Sequence, residues 1–137
     1  MCYGFPGSGK TFFARQLSQS LHAVHIISDR IRGELFEKPR YDKEENQVVE
    51  HLTEYMIEEF LNAGVSVIYD FNVARAAQRR KLRDLASKVH AKPILVWFQV
   101  DHDTAFGRIS KRDKRRADDK YAREFDRTSF DAYITAM

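Results

Sequence analysis

The chain has 137 residues, 43% hydrophobic and 31% charged, with a formal net charge of +3. That balance fits one globular domain with one core and excludes a disordered polyelectrolyte, and no apolar run is long enough to span a membrane. The single cysteine, Cys2, cannot form an internal disulfide, and no secretory signal is visible, so the cytoplasm is the expected compartment.

Residues 1–3 read as the stub of a strand, residues 12–21 as a helix and residues 24–28 as a short apolar strand. A short helix is expected over 29–36, then a loop around Pro39. The longest helix is expected over 44–62, where Val48, Val49, Leu52, Met56 and Phe60 recur at helical spacing and Ala63-Gly64 supplies the stop. A β-branched run over 65–69 ends in Asp70, residues 74–90 read as a helix with Leu82, Leu85, Ala86 and Val89 inward, and residues 93–100 form the most apolar strand. A helix over 103–111, a charged, linker-like stretch over 113–120 and an amphipathic helix marked by Phe125, Phe130, Tyr133, Ile134 and Met137 complete the chain. Phe12, Phe13, Phe60 and Trp97 read as core. Apolar strands separated by helices predict an α/β fold, a parallel sheet covered by helices on both faces. Only three residues precede the first loop and no strand follows the last helix, so the expectation is a single domain over 1–137 that is truncated at both ends.

Gly4-Phe5-Pro6-Gly7-Ser8-Gly9-Lys10-Thr11 matches G-x-x-x-x-G-K-[ST] at every position, between a strand and a helix. The glycines let the backbone N–H groups turn inward toward phosphate oxygens, and the following helix presents its positive end to the same charge. Gly4, Gly7, Ser8, Gly9, Lys10 and Thr11 are therefore the expected nucleotide-binding set, with Lys10 on the β- and γ-phosphates and the Thr11 hydroxyl on Mg²⁺. Asp70 is followed by Phe71 and Asn72, not by the second acid of a motor ATPase. An Asp-x-x-Gly is missing, and Ser110-Lys111-Arg112-Asp113 only partly matches a guanine-reading motif, which favours ATP over GTP.

The order GFPGSGKT, then Ser28-Asp29-Arg30-Ile31-Arg32 after a strand, then Asp70-Phe71-Asn72, then Arg108-Ile109-Ser110-Lys111-Arg112 resembles the P-loop kinases related to phage polynucleotide kinase and zeta toxin. The resemblance spans nearly the whole chain. It implies the P-loop three-layer sandwich with strand order 2-3-1-4-5 and a helical lid, the fifth strand lying beyond Met137. It also implies that Asp29 is the general base on the acceptor hydroxyl, Arg32 positions the acceptor, Asp70 shapes the acceptor site and Arg112 closes over the phosphates. Phe71 departs from the small residue usual at its position. Independently of the family, Gly4, Asp29, Asp70 and Asp101 each follow a predicted strand, where ligands of open α/β sheets bind, and are expected to converge on one cleft.

Each of these residues also has a plain structural reading. Asp29 could cap a helix, as could Asp70 and Asn72, and Arg32 could be solvated. The arginines from 108 to 116, Arg108 and Arg112 among them, could form a solvated face. Arg75, Arg79 and Arg83 recur every four residues as a basic stripe, more often surface than nucleic-acid contact. Asp101-His102-Asp103 reads as a surface turn and the remaining histidines as scaffold. The function expected is transfer of the γ-phosphate of Mg-ATP to a hydroxyl acceptor, a small molecule or a nucleic-acid 5′ end. The alternatives are an ATPase module without an acceptor and an inactive nucleotide-binding fragment.

Overall fold

The computed structural model describes residues 1–116 and 119–137; of the charged stretch expected over 113–120, Ala117 and Asp118 lie outside the described residues. The elements alternate as expected: β1 (Cys2–Tyr3), α1 (Lys10–Leu21), β2 (Val24–Ile27), α2 (Ser28–Leu35), α3 (Lys43–Asn62), β3 (Val67–Asp70), α4 (Ala76–Lys88), β4 (Val96–Trp97), α5 (His102–Ser110) and α6 (Arg127–Thr135). Among the described residues no helix is long and apolar enough to cross a membrane.

The strands pair in parallel as β2 with β3 and β1 with β4. Both pairings belong to the order 2-3-1-4. Among the described residues no ladder joins β3 to the other edge of β1, which has only two residues. The two halves are stitched by the Val73 N–H donating to the Cys2 carbonyl at 3.3 Å and the Gly4 N–H donating to Asn72 Oδ1 at 3.2 Å. Ile26 and Tyr69 face α3 and α4 with Ile57 and Leu82, while Ile68 and Cys2 face α1 with Ala14 and Leu17. A third cluster of Ala105, Ile109 and Phe130 fixes α6 against α5. Helices thus lie on both sides of the strands.

Three expectations about burial are corrected. Strand β4 is far shorter than residues 93–100 and is not covered on both faces: Val96, Phe98 and Val100 are half-buried while Leu95, Trp97 and Gln99 between them are exposed, the period-2 signature of a one-sided strand. Trp97, at 61% exposed, is therefore not core, and neither is Phe12, at 62%, while Phe13 is 37% exposed and stands edge-on to Phe98. On α3 the buried row is Glu45, Val49, Thr53 and Ile57, four residues apart, leaving Val48 50% exposed. Hydropathy misses this row because two of its members are polar. Both are satisfied inside, Thr53 by Val49 O and Tyr69 Oη, and Glu45 by Arg32 and two backbone N–H groups.

Candidate functional site

A cleft of ≈ 380 Å³ opens beyond the C-terminal ends of β2 and β3, beside the glycine-rich loop. Lys10, Thr11, Asp29, Arg32, Asp70 and Arg112, from four separate segments of the chain, all line it. On the loop side, Gly4, Gly7 and Gly9 hold φ of 150°, 84° and 94°. A Cβ on Gly7 would stand 2.2 Å from the Ala105 carbonyl oxygen, so α5 packs directly on loop backbone and only glycine fits there. Gly9 caps α1 with no side-chain acceptor, and the first turn contains no acid, so the helix end presents its N–H groups and positive dipole without an internal anion.

Lys10 Nζ donates to the Gly4 and Phe5 carbonyls at 2.9 and 2.8 Å and lies 3.5 Å from Ser8 Oγ. These partners are uncharged, and among the described residues Lys10 has no ion pair. Burial brings its pKa from 10.5 down to about 8, against the opposing pull of Asp70, Cys2 and Asp29. A cradle of N–H groups with one buried cation and no internal counter-charge fits a polyphosphate. Among the described residues no group of three or more His, Cys, Asp or Glu side chains could hold a metal ion. Thr11 is the cleft-lining hydroxyl beside Lys10.

Asp29 does not cap α2: the N-cap is Ile27, without a side-chain bond, and Asp29 stands inside the first turn. Burial pushes its carboxyl above the usual range and Asp70 adds to this, while Arg32, Arg112 and Lys10 oppose it. A half-buried acid of raised basicity, with no capping duty, can accept a proton. Asp70 is the last residue of β3 and buried, and His25 Nε2 lies 3.2 Å from its Oδ2. Nor does Asp70 or Asn72 cap α4, whose N-cap is Arg75; Asn72 instead ties Gly4 to Tyr133 Oη. His25, expected to be scaffold, is thus the partner of a cleft acid. Strand parity carries the signal, since His25 pairs in register with Ile68 and Ile27 with Asp70, placing all four on one face.

Arg32 is buried and turned to α3, with Nη1 3.0 Å from Glu45 Oε2 and Nη2 2.6 Å from Asn46 Oδ1; its Nε has no hydrogen-bond partner among the described residues. Glu45 also accepts the backbone N–H groups of Arg40 and Tyr41, fixing the loop that leads into α3 and holding Tyr41, at φ 57°, over Arg32. Arg112 lies just past α5, 3.6 Å from Asp119, and donates to the Arg123 carbonyl at 3.3 Å. Tyr41, Arg123, Phe125 and Tyr133 complete this wall. No local motif marks them; their meeting depends on the chain folding back over α2.

Other candidates lie elsewhere. Arg108 is exposed on the last turn of α5 and does not line the cleft. Asp101 does not converge with Asp29 and Asp70: it caps α5 through the Thr104 N–H at 2.8 Å, and Asp103 pairs with Arg127. The basic stripe divides, with Arg75 at the cleft rim, Arg79 folded back onto the Val73 and Ala74 carbonyls and Arg83 in solvent.

A family model described as an AAA domain (AAA_33) matches residues 1–135. Among solved structures, one from Chloroflexus aurantiacus j-10-fl, described as a "putative kinase", is 18% identical with a TM-score of 0.69; the match covers 80% of this chain and 63% of that chain. The chain thus spans less than two thirds of that protein's resolved length, and the likeness is one of fold. No curated protein matches the sequence.

Proposed function

The chain belongs to the AAA domain family, as a P-loop nucleotide-binding, kinase-like protein, and from that premise we propose that it transfers the γ-phosphate of Mg-ATP to a hydroxyl acceptor. The observation that carries this reading is the meeting of Lys10, on a phosphate-shaped loop, with Asp29, an uncapped acid of raised pKa, in one cleft.

In this reading the N–H groups of the Gly4–Thr11 loop and of the first turn of α1 bind the phosphates, and Lys10 meets the charge on the transferred group. Mg²⁺ supplies charge neutralisation when bound, and Thr11 is the residue that would hold it. Asp29 takes the proton from the acceptor hydroxyl. Asp70, steadied by His25, shapes the acceptor side, and Arg112 screens the charge from the lid while water is excluded. The acceptor is a small hydroxyl compound or a nucleic-acid 5′ end.

The test is transfer of labelled γ-phosphate from Mg-ATP, run in parallel to a 5′-hydroxyl oligonucleotide, to a panel of small hydroxyl compounds and to water. Label on an acceptor is the expected result. Label released only as free phosphate would sink the proposal in favour of an ATPase module.

A further inference from the structure

The cations of the cleft differ in how their charge is met. Arg32 has Glu45 at 3.0 Å, and Arg112 has Asp119 at 3.6 Å. Lys10 is spanned by loop carbonyls at the donor end. Arg123 has, among the described residues, neither a carboxylate partner nor a hydrogen bond from its guanidinium. It is held by rings: its Cζ stands 4.7 Å from the centroid of Tyr41, 4.9 Å from Phe125 and 5.8 Å from Tyr133. Aromatic faces attract and orient a guanidinium but accept none of its five N–H bonds, so the fork is placed with its donors still available.

Two further contacts locate this fork. Tyr41 carries Arg32 on its ring as well, also at 4.7 Å, so two guanidiniums share one ring and only one has an acid to balance it. The Tyr41 phenol feels the charges of Asp29 and Arg123 together, which puts the cage within electrostatic reach of the proposed base. Arg112 is bonded to the Arg123 carbonyl, which couples the cage to the lid.

We propose that Arg123, caged by Tyr41, Phe125 and Tyr133, binds an anionic oxygen group, phosphate or carboxylate, on the acceptor, so that the acceptors of this chain carry a negative charge near the reacting hydroxyl. This rests on the phosphotransferase reading. It moves acceptor recognition from Arg32, whose charge is committed to Glu45, to an arginine that no motif marks. A planar fork suits either anion, since both offer paired oxygens.

The experiment compares matched acceptors with and without the charge: a nucleoside 3′-monophosphate against the nucleoside, and gluconate against gluconamide. In the wild-type protein the charged member of at least one pair is expected to have a kcat/KM higher by about tenfold or more, the range of a charge-assisted hydrogen bond. Arg123→Gln should bring that ratio to near one, and Arg123→Lys, which keeps the charge and loses the fork, should leave it between. Calorimetric titration of the same anions into protein saturated with a non-hydrolysable Mg-ATP analogue reads the site without turnover. Anion binding abolished by Arg123→Gln, with no transfer in the wild type, would support the site and sink the phosphotransferase reading. Transfer with no charge preference, or with a preference that survives Arg123→Gln, would sink the site and leave that reading standing. Failure of the wild type to bind or prefer any of these anions would overturn the proposal. So would a matching loss of Mg-ATP affinity in Arg123→Gln, which would place the fork on the donor phosphates.

Discussion

The two walls of the cleft are built by different means. The wall proposed for the phosphoryl donor is backbone: eight consecutive residues whose positive-φ glycines and helix end present N–H groups, with one lysine folded over them. The opposite wall, which we propose takes the acceptor, is side chains from α2, the loop before α3, the end of β3 and the region past α5, brought together by Arg32–Glu45, His25–Asp70 and the rings around Arg123. A wall made of backbone tolerates most side-chain changes but few changes of glycine. A wall made of side chains can be altered residue by residue, which suits the half of a site that chooses the substrate.

The largest effect expected on this contrast comes from Asp29→Asn. Transfer should fall by about 10²–10⁴-fold, the range for a general base, measured as kcat with Mg-ATP binding followed in parallel. The melting temperature should not fall and should rise near neutral pH, because burial disfavours the ionised Asp29 and the amide removes that charge. A drop in stability with full activity would show that Asp29 is a structural acid.

Next is Glu45→Ala, which strips the acid from buried Arg32 and the acceptor from the Arg40 and Tyr41 N–H groups. Thermal melting should show a loss of about 5 °C or more, with the acceptor KM rising more than the Mg-ATP affinity falls, since the broken contacts lie on one wall. Equal damage to both walls would mean that they are not separable.

Gly7→Ala acts on the other wall. A methyl at φ 84° facing the Ala105 carbonyl should cost about 1–3 kcal/mol in stability and weaken Mg-ATP binding, read by denaturant unfolding and nucleotide titration. Unchanged nucleotide affinity would argue against the loop as the phosphate site.

The smallest effect is with pH, in a window that Lys10 shares with the Met1 amino group, which burial lowers, and with the Cys2 thiol, which burial raises. With the Lys10 pKa lowered to about 8 from 10.5, the unfolded chain binds more protons at this group than the folded one between those values, so the Lys10 contribution to the stability of the ligand-free protein should rise with pH there, against an opposing contribution from Cys2; Lys10→Met should remove the rise and leave the opposing part. Phosphates favour the charged amine, so Mg-ATP affinity should fall over the same range. Melting and nucleotide titration between pH 7.5 and 9.5 would show the two trends running in opposite directions; parallel trends would remove Lys10 from the donor wall.

What could be read from the chain alone follows the same division. The loop from Gly4 to Thr11 is contiguous, so its spacing carries its geometry, and Asp29 and Asp70 could be placed because parallel strands deliver their ends to one edge. The alternation of strands and helices likewise survives in local periodicity. Tertiary structure alone decided the rest: that α3 buries Glu45 and Thr53 while Val48 faces water, that β4 is covered on one face, that Arg32 is engaged by Glu45, that His25 supports Asp70, and that Arg123 stands among three rings. These outcomes rest on which face of an element is covered and on which ion pairs and ring contacts form, and both depend on distance in space more than on the order of residues in the chain.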